Sequence, residues 1–420
     1  MVSISAFIDG VRFRYVQFGE EGKTTMIQWI RSKSFGCPAL ALAAICGPLA
    51  LAGATGAHLG LEDMMNADYS KAAAVHAVME KYVKAGLPGV AVAVHTEKEG
   101  WWADAVGFCR TEDKTPMRPD HLHYLQSVTK TFMATAILQL MEKGKLSLDD
   151  PISRHLPAWA AGSLHNAADI TVRMLLNHTS GVPEYMSRPG YVSRVILHPL
   201  ELMSERENLR YIENESPIFS PGGRYAYTNT NYLLLALIAD AITGDHTAYM
   251  KKNIFDPLGM TQTWYGRSFA DLDRLPLVDS YWDVLQTGEP ANITAMQKAN
   301  VASMKGDDGI VCTPLDAVKF MHGLMEGKLI TDASMELMRT WVKNDKGTPV
   351  YGLGLSYFQA GGIEAWGHGG GGIGAGCLLL YIPANKTSLF IGTNLGLLIE
   401  TPMTKKADPI KFEILAAVLQ

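Results

Sequence analysis

Gln126-Ser127-Val128-Thr129-Lys130-Thr131-Phe132 sets a serine three residues ahead of a lysine at the mouth of a strongly helical segment. Met133, Ala136, Ile137, Leu140 and Met141 follow at i, i+3, i+4, i+7 and i+8 spacing, the stripe of a buried helix face, and Gly144 stops the pattern. Three residues is just under one turn, so the Ser127 hydroxyl and the Lys130 amine fall on the same side. A serine hydroxyl is a weak nucleophile until a neighbour takes its proton. A lysine in a desolvated setting can take it, because burial lowers its pKa and raises its neutral fraction. The helix N-terminus adds free N–H groups for an anion forming there. An isolated S-x-x-K is otherwise an N-cap and a solvated lysine. Partners elsewhere in the chain must decide.

Working back from this stretch, residues 68–86 read as a helix, with Val75, Val78, Met79, Tyr82 and Val83 at helical spacing. Residues 89–96 switch to period two through Val90, Val92 and Val94, and residues 101–107 supply a second strand of a hairpin. His121 and His123 share a strand face, but no third ligand accompanies them and no metal is expected.

The first sixty residues read as targeting. Arg31 and Lys33 precede an Ala/Leu/Ile run from Ala39 to Ala54, broken by Gly47, Pro48 and Gly53. The pattern predicts a signal peptide cleaved near Ala54 or Ala57, with Met26 as the true start; an uncleaved membrane anchor is the alternative. The protein is then exported, periplasmic or secreted. Of five cysteines, Cys37 and Cys46 go with the leader. Cys109, Cys312 and Cys377 are too scattered for a disulfide framework or a zinc site. A net charge of -5 gives no reason to expect nucleic-acid binding.

Forward of the serine, Leu148-Asp149-Asp150-Pro151 opens a helix-rich stretch. Residues 170–177 form a short helix before His178-Thr179-Ser180-Gly181, and residues 231–244 a longer one. Residues 217–231 are irregular, with a turn at Pro221-Gly222-Gly223. Strands return at 352–357, 376–382 and 388–393, and residues 408–420 close the chain as a helix with Phe412, Leu415, Val418 and Leu419 on one side. The pattern predicts an α+β fold: an antiparallel sheet flanked by terminal helices, plus a mainly helical lobe, with a site in the cleft between them. Residues 1–57 are the leader, 65–144 and 300–420 the sheet lobe, and 145–299 the helical lobe.

Two further motifs carry chemistry. Tyr225-Ala226-Tyr227-Thr228-Asn229 precedes a helix; a tyrosine whose pKa a lysine lowers can relay a proton, and an asparagine can donate to a carbonyl. Trp366-Gly367-His368-Gly369-Gly370-Gly371-Gly372-Ile373-Gly374 contains G-x-G-x-x-G, but a strand-like stretch follows instead of a helix, so a dinucleotide site is not expected. Glycines there let a strand edge approach a substrate and offer N–H groups.

Ser127-Val128-Thr129-Lys130, Tyr227-Thr228-Asn229 and His368-Gly369-Gly370, in this order, resemble the three motifs of the serine β-lactamase and penicillin-binding-protein superfamily. The likeness is closest to the branch of class C β-lactamases, DD-carboxypeptidases, D-aminopeptidases and esterases. Asp308-Gly309-Ile310-Val311-Cys312-Thr313-Pro314, Tyr351-Gly352-Leu353-Gly354 and Gly392-Thr393-Asn394 are similar as well, so the likeness spans about 70–400. It implies an acyl-enzyme on Ser127, with Lys130 and Tyr227 moving protons and Asn229, His368 and Gly370 binding substrate. The backbone N–H groups of Ser127 and Gly371 would form the oxyanion hole. No cofactor is implied.

The likeness departs at the third motif, where His368 stands for a lysine and Gly369 for a hydroxyl residue. A mostly neutral histidine captures a carboxylate less well. The expectation is therefore a serine hydrolase of amides or esters, with D-amino-acid peptides or amides, DD-carboxypeptidase-like action and esters ahead of β-lactams. No acidic residue stands out as a deacylation base. The partner is a small-molecule or peptide substrate, peptidoglycan-derived in one version, with membrane contact only through an uncleaved leader. The contrasting expectation is a silent homologue that binds peptidoglycan or a partner.

Overall fold

The computed structural model describes residues 2–8, 11–17, 26–30, 65–360 and 362–420. The chain divides into two units, Met1–Met65 and Asn66–Gln420. In the first, Val2–Ile8, Val11–Gln17 and Met26–Ile30 form an antiparallel meander, with Val2 opposite Gln17 and Arg12 opposite Ile30. The apolar run 39–54 and the expected cleavage positions lie outside the described residues. No helix among the described residues is long and apolar enough to cross a membrane.

The second unit is built on a nine-stranded antiparallel sheet. Its strands are β1 (Gly89–Thr96), β2 (Gly100–Arg110), β3 (Thr115–Pro116), β4 (Val342–Lys343), β5 (Pro349–Tyr351), β6 (Ser356–Ala360), β7 (Ile363–Gly371), β8 (Gly376–Ile382) and β9 (Thr387–Thr393). The order β4-β5-β6-β7-β8-β9-β1-β2-β3 places the first hairpin beside the last strand, through pairs such as Ile391 with Val92. Period-two patterning explains how β1 serves two layers. Val90, Val92 and Val94 pack with Val75, Met79 and Tyr82 of α1 (Ala72–Lys84) and with Ile410 and Ile414 of the C-terminal helix α5 (Ile410–Leu419). Ala93 faces the other way, where its small side chain leaves room for helices α2 (Thr129–Glu142) and α4 (Pro314–Met325). Phe132 and Phe320 stack there at 3.5 Å between ring centroids.

The helix-rich stretch is organised around α3 (Asn229–Thr243), which packs on α2. Helix α2 is buried on nearly its whole circumference, from Thr129 through Leu140, not on one stripe alone. It touches both the sheet and the helical stretch and ties the two into one apolar core.

Two strand and helix expectations need correction. Residues 352–357 are not one strand: the chain leaves β5 at Tyr351 and re-enters at Ser356, because Gly354 takes φ +78° and passes close against α2. A Cβ on Gly354 would meet the Ala134 Cβ at 2.3 Å. Phe412 is 63% exposed; the buried side of α5 is Ile410, Ile414, Ala417 and Val418, one residue out of phase with the face expected from sequence.

Candidate active site

Ser127 sits in a single 3₁₀ turn, Gln126–Val128, that feeds α2. From His121 through Leu140 every residue is buried except Ser127. Gln126 holds φ +49°, a left-handed conformation costly for a side chain with a Cβ, which turns the chain so that Ser127 faces outward. The third motif explains what holds this turn. Strand β7 runs so close to it that a Cβ on Gly370 would meet the Leu125 carbonyl oxygen at 2.5 Å, and one on Gly372 the Gln126 Oε1 at 2.2 Å. Gly370 is required by its close approach to the backbone behind the serine, whereas Gly372 packs against the Gln126 side-chain amide. Gly371, between them, is exposed, with open space where a side chain would be.

Lys130, the second residue of α2, is fully buried. Its Nζ donates to Ser127 Oγ at 3.0 Å, to Asn229 Oδ1 at 2.7 Å and to the Asp307 carbonyl oxygen at 2.9 Å. The serine and lysine of the first motif and the asparagine of the second therefore meet at one nitrogen. Burial lowers the Lys130 pKa, while the carboxyls of Asp307, Asp308 and Glu184 oppose that shift. Asp307 and Asp308 are themselves raised by burial.

Tyr227 keeps 38% of its surface exposed, and its ring centroid lies 5.1 Å from Lys130 Nζ. Its hydroxyl is raised, not lowered as expected: the surrounding protein desolvates it, the Ser127 hydroxyl offsets this in part, and the carboxyls of Asp307, Glu184 and Asp308 add to the rise. Burial, reinforced by these carboxyls, holds the phenol neutral. His178, at φ +60°, packs its ring 4.4 Å from that of Tyr227 and accepts from the Thr228 N–H at 3.3 Å.

His368 lies 6.2 Å from the Tyr227 ring, but it is not among the partners of Ser127 or Lys130. It is 3% exposed. Its Nδ1 lies 2.6 Å from the Gly369 carbonyl oxygen, which can only accept, so Nδ1 carries the proton. Nε2 then accepts from the Tyr351 hydroxyl at 2.9 Å. Burial pushes the His368 pKa down to about 3, with Lys130 adding to the shift. The ring is a neutral, doubly engaged imidazole. His121 and His123 engage different neighbours: His121 Nδ1 accepts from the Arg118 N–H at 3.3 Å, while His123 packs edge-on against Phe390.

Four residues that sequence reasoning gave no role complete the site: Glu184, Asp307, Tyr351 and His178. Tyr351 stood in a stretch similar to the superfamily's, but the spacing carried no sign of which side chain it would meet.

A buried lysine bonded to an outward-turned serine, on a helix between a large antiparallel sheet and a helical stretch, defines the class of serine β-lactamase and penicillin-binding-protein folds. The chain belongs to the Beta-lactamase family, whose profile matches residues 73–402. It is 27% identical over 297 residues to "Penicillin-binding protein 4*" of Bacillus subtilis (strain 168), covering 68% of this chain and 63% of that protein. The chain spans between 35% and 63% of the length of the first curated relatives it matches. Among solved structures, the D-stereospecific amidohydrolase from Streptomyces sp. superposes with TM-score 0.69 at 26% identity, over 81% of this chain and 98% of the other. The D-amino acid amidase from Ochrobactrum anthropi SV3 complexed with D-phenylalanine superposes with TM-score 0.71 at 25% identity, over 83% and 99%.

Proposed function

We propose that the protein is a serine hydrolase that opens an amide or ester bond through an acyl-enzyme on Ser127. The observation that carries this reading is the set of partners of Lys130 Nζ. Asn229 Oδ1 and the Asp307 carbonyl oxygen can only accept. In the neutral amine these two take both N–H bonds, which leaves the lone pair directed at the third partner, Ser127 Oγ. Lys130 is thus aimed as a base, and burial supplies its neutral form.

Ser127 Oγ bonds to the acyl carbon as its proton passes to Lys130 Nζ. The carbonyl oxygen becomes an oxyanion held by the N–H groups of Ser127 and Gly371. The C–N or C–O bond breaks, and the leaving group takes the proton back from Lys130 by way of the neutral Tyr227 hydroxyl. A water then bonds to the acyl carbon as its proton passes to the same pair, the bond from that carbon to Ser127 Oγ breaks, and the pair returns the proton to Oγ as the acid leaves. A raised Tyr227 pKa favours Lys130 over a resident phenolate as the base. Asn229 would orient Lys130 and reach the substrate amide when one is bound.

For substrate, the neutral and internally bonded His368 supplies no cation for a carboxylate. This supports acyl donors without a free carboxylate at that position: esters and D-amino-acid amides, in keeping with the amidohydrolase and amidase likenesses, ahead of DD-carboxypeptides and β-lactams. Export is part of the proposal and rests on the leader pattern in residues 1–57.

The test is turnover of D-phenylalanine amide and a p-nitrophenyl ester by the protein and by Ser127→Ala, with an intact-mass time course in benzylpenicillin. We expect ester or amide hydrolysis that vanishes in the variant, and little penicillin adduct. Turnover that survives in Ser127→Ala overturns the mechanism. A stoichiometric, long-lived penicillin adduct overturns the substrate ranking.

A further inference from the structure

We propose that Glu184 is a positioning residue for this site: its carboxylate fixes which way the Asn229 amide faces, and through it the direction of Lys130 Nζ. The inference rests on the functional reading above.

Glu184 precedes the 3₁₀ turn Tyr185–Ser187, and its Oε1 accepts from the Met186 N–H at 2.9 Å. Its Oε2 accepts from the Asn229 backbone N–H at 2.6 Å and from Asn229 Nδ2 at 3.1 Å. Three donors on two oxygens leave the carboxylate no rotational freedom. Asn229 is the first residue of α3, so the anion also lies at the N-terminal end of that helix.

The consequence follows from donor and acceptor chemistry. An asparagine amide has an accepting arm and a donating arm that are nearly the same shape, and only its partners decide their order. A carboxylate can only accept, whereas the neutral amine of Lys130 can accept as well as donate, so the carboxylate decides the order. With Glu184 on one side and Lys130 on the other, Nδ2 must face Glu184 and Oδ1 must face Lys130. Without Glu184 the amide is free to present its donating arm to the lysine, and Nζ loses one of the two acceptors that aim its lone pair at Ser127.

Glu184 also acts through charge. The groups facing Lys130 are the carboxyls of Asp307, Asp308 and Glu184, the phenol rings of Tyr227 and Tyr232 at 5.1 and 5.7 Å, and the imidazoles of His178 and His368. Each carboxyl holds the lysine's pKa up against burial. Removing one lowers it, so a rate that needs neutral Lys130 should rise at lower pH.

The two roles separate with two variants. Glu184→Gln keeps an accepting oxygen for Asn229 and removes the charge; Glu184→Ala removes both. The readout is the second-order rate of Ser127 labelling by a fluorophosphonate between pH 5 and 9, which needs no knowledge of the substrate. Thermal melts of each variant are taken alongside. We expect the acid limb of Glu184→Gln to move down by about one pH unit, with a maximal rate within about fivefold of wild type. Glu184→Ala should label about 10- to 100-fold more slowly. A folded Glu184→Ala that labels at the wild-type rate overturns the positioning role, and a Glu184→Gln limb that superimposes on wild type overturns the charge role, because a structural cap would not move a pH profile. Absence of Ser127 labelling in the wild-type protein overturns the functional reading and this inference together.

Discussion

Among the basic side chains of the second unit that burial pushes toward the neutral form, two sites make a useful contrast. One is Lys130; the other is the His95–His322 pair, where β1 meets α4, with ring centroids 4.0 Å apart. Lys130 has three hydrogen-bond acceptors, and the directions of two of them fix where its lone pair points. His95 Nδ1 is buried and has no partner among the described residues. A depressed pKa is common to both, so it does not by itself mark a site. What separates them is whether the surroundings choose a direction for the proton and set a nucleophile along it.

The largest effect that would break this comparison is at Lys130. Lys130→Met keeps the length and apolar stem but removes the amine. Ser127 labelling and ester turnover should fall about 10³-fold or more. A variant within tenfold of wild type would mean that the lysine is buried for packing, like the histidine pair, and that another group activates Ser127.

A second variant tests the scaffold behind the lysine. Gly354 lies against the turn of α2 that carries Lys130, and its φ of +78° is unfavourable for any residue with a Cβ. Gly354→Ala should cost about 2–4 kcal/mol through the clash with Ala134 and the backbone strain, read as a lowered urea midpoint at unchanged slope. Labelling of Ser127 should fall with it. Unchanged stability would show that β5, β6 and α2 can separate without cost, and that the site does not depend on their close approach.

How much of this was legible beforehand follows from the kind of contact involved. Ser127 and Lys130 were readable because their contact is local: three residues on one helix, fixed by helix geometry. β1 was readable from its period-two run, and β8 and β9 as short apolar stretches on either side of the turn at Pro383-Ala384-Asn385-Lys386. The break at Gly354 was not, because Gly352-Leu353-Gly354-Leu355 alternates like a strand and only the approach of α2 shows why the chain must turn. Phe412 misled because a four-residue apolar spacing fits two adjacent faces of a short helix, and the sheet chooses Ile410 and Ile414. Glu184 and Asp307 reach the lysine across long sequence separations, and such meetings leave no periodic trace. The lock of His368 by Tyr351 depends on β5 and β7 flanking β6 in the sheet, which the residues alone do not announce.

That lock offers a smaller test. Tyr351→Phe removes the O–H that His368 Nε2 accepts and turns a partnered buried imidazole into one like His95. Leaving that acceptor unpaired should cost about 1–3 kcal/mol of stability, read from denaturant midpoints. Since His368 does not touch Ser127 or Lys130, labelling should stay within a few-fold. A loss as large as that of Lys130→Met would place His368 in the proton path after all.

The smallest expected effect is in the histidine pair, and its sign can be worked out. Burial, then His322, then Lys328 lower the His95 pKa from 6.5 to about 4, with Glu97 opposing; His322 is lowered by burial and Lys328, with Glu326 opposing. Trp101 packs on both rings and carries no charge. A base whose folded pKa is depressed is protonated first in the unfolded chain. The stability it contributes is therefore present above pH 6.5, declines as pH falls, and is gone by about pH 4. His322→Leu removes one titrating ring and the repulsion it exerts on His95, so the variant should lose less stability over that window. Because every other carboxyl and imidazole titrates alike in both proteins, the quantity to read is the difference between their melting-temperature changes from pH 7 to pH 4.5. A few degrees in favour of the variant is the expected result. Parallel curves would mean that the pair stays unprotonated through some rearrangement of β1 and α4. The contrast with Lys130 would then lie in the flexibility of the surroundings and not in the partners they supply.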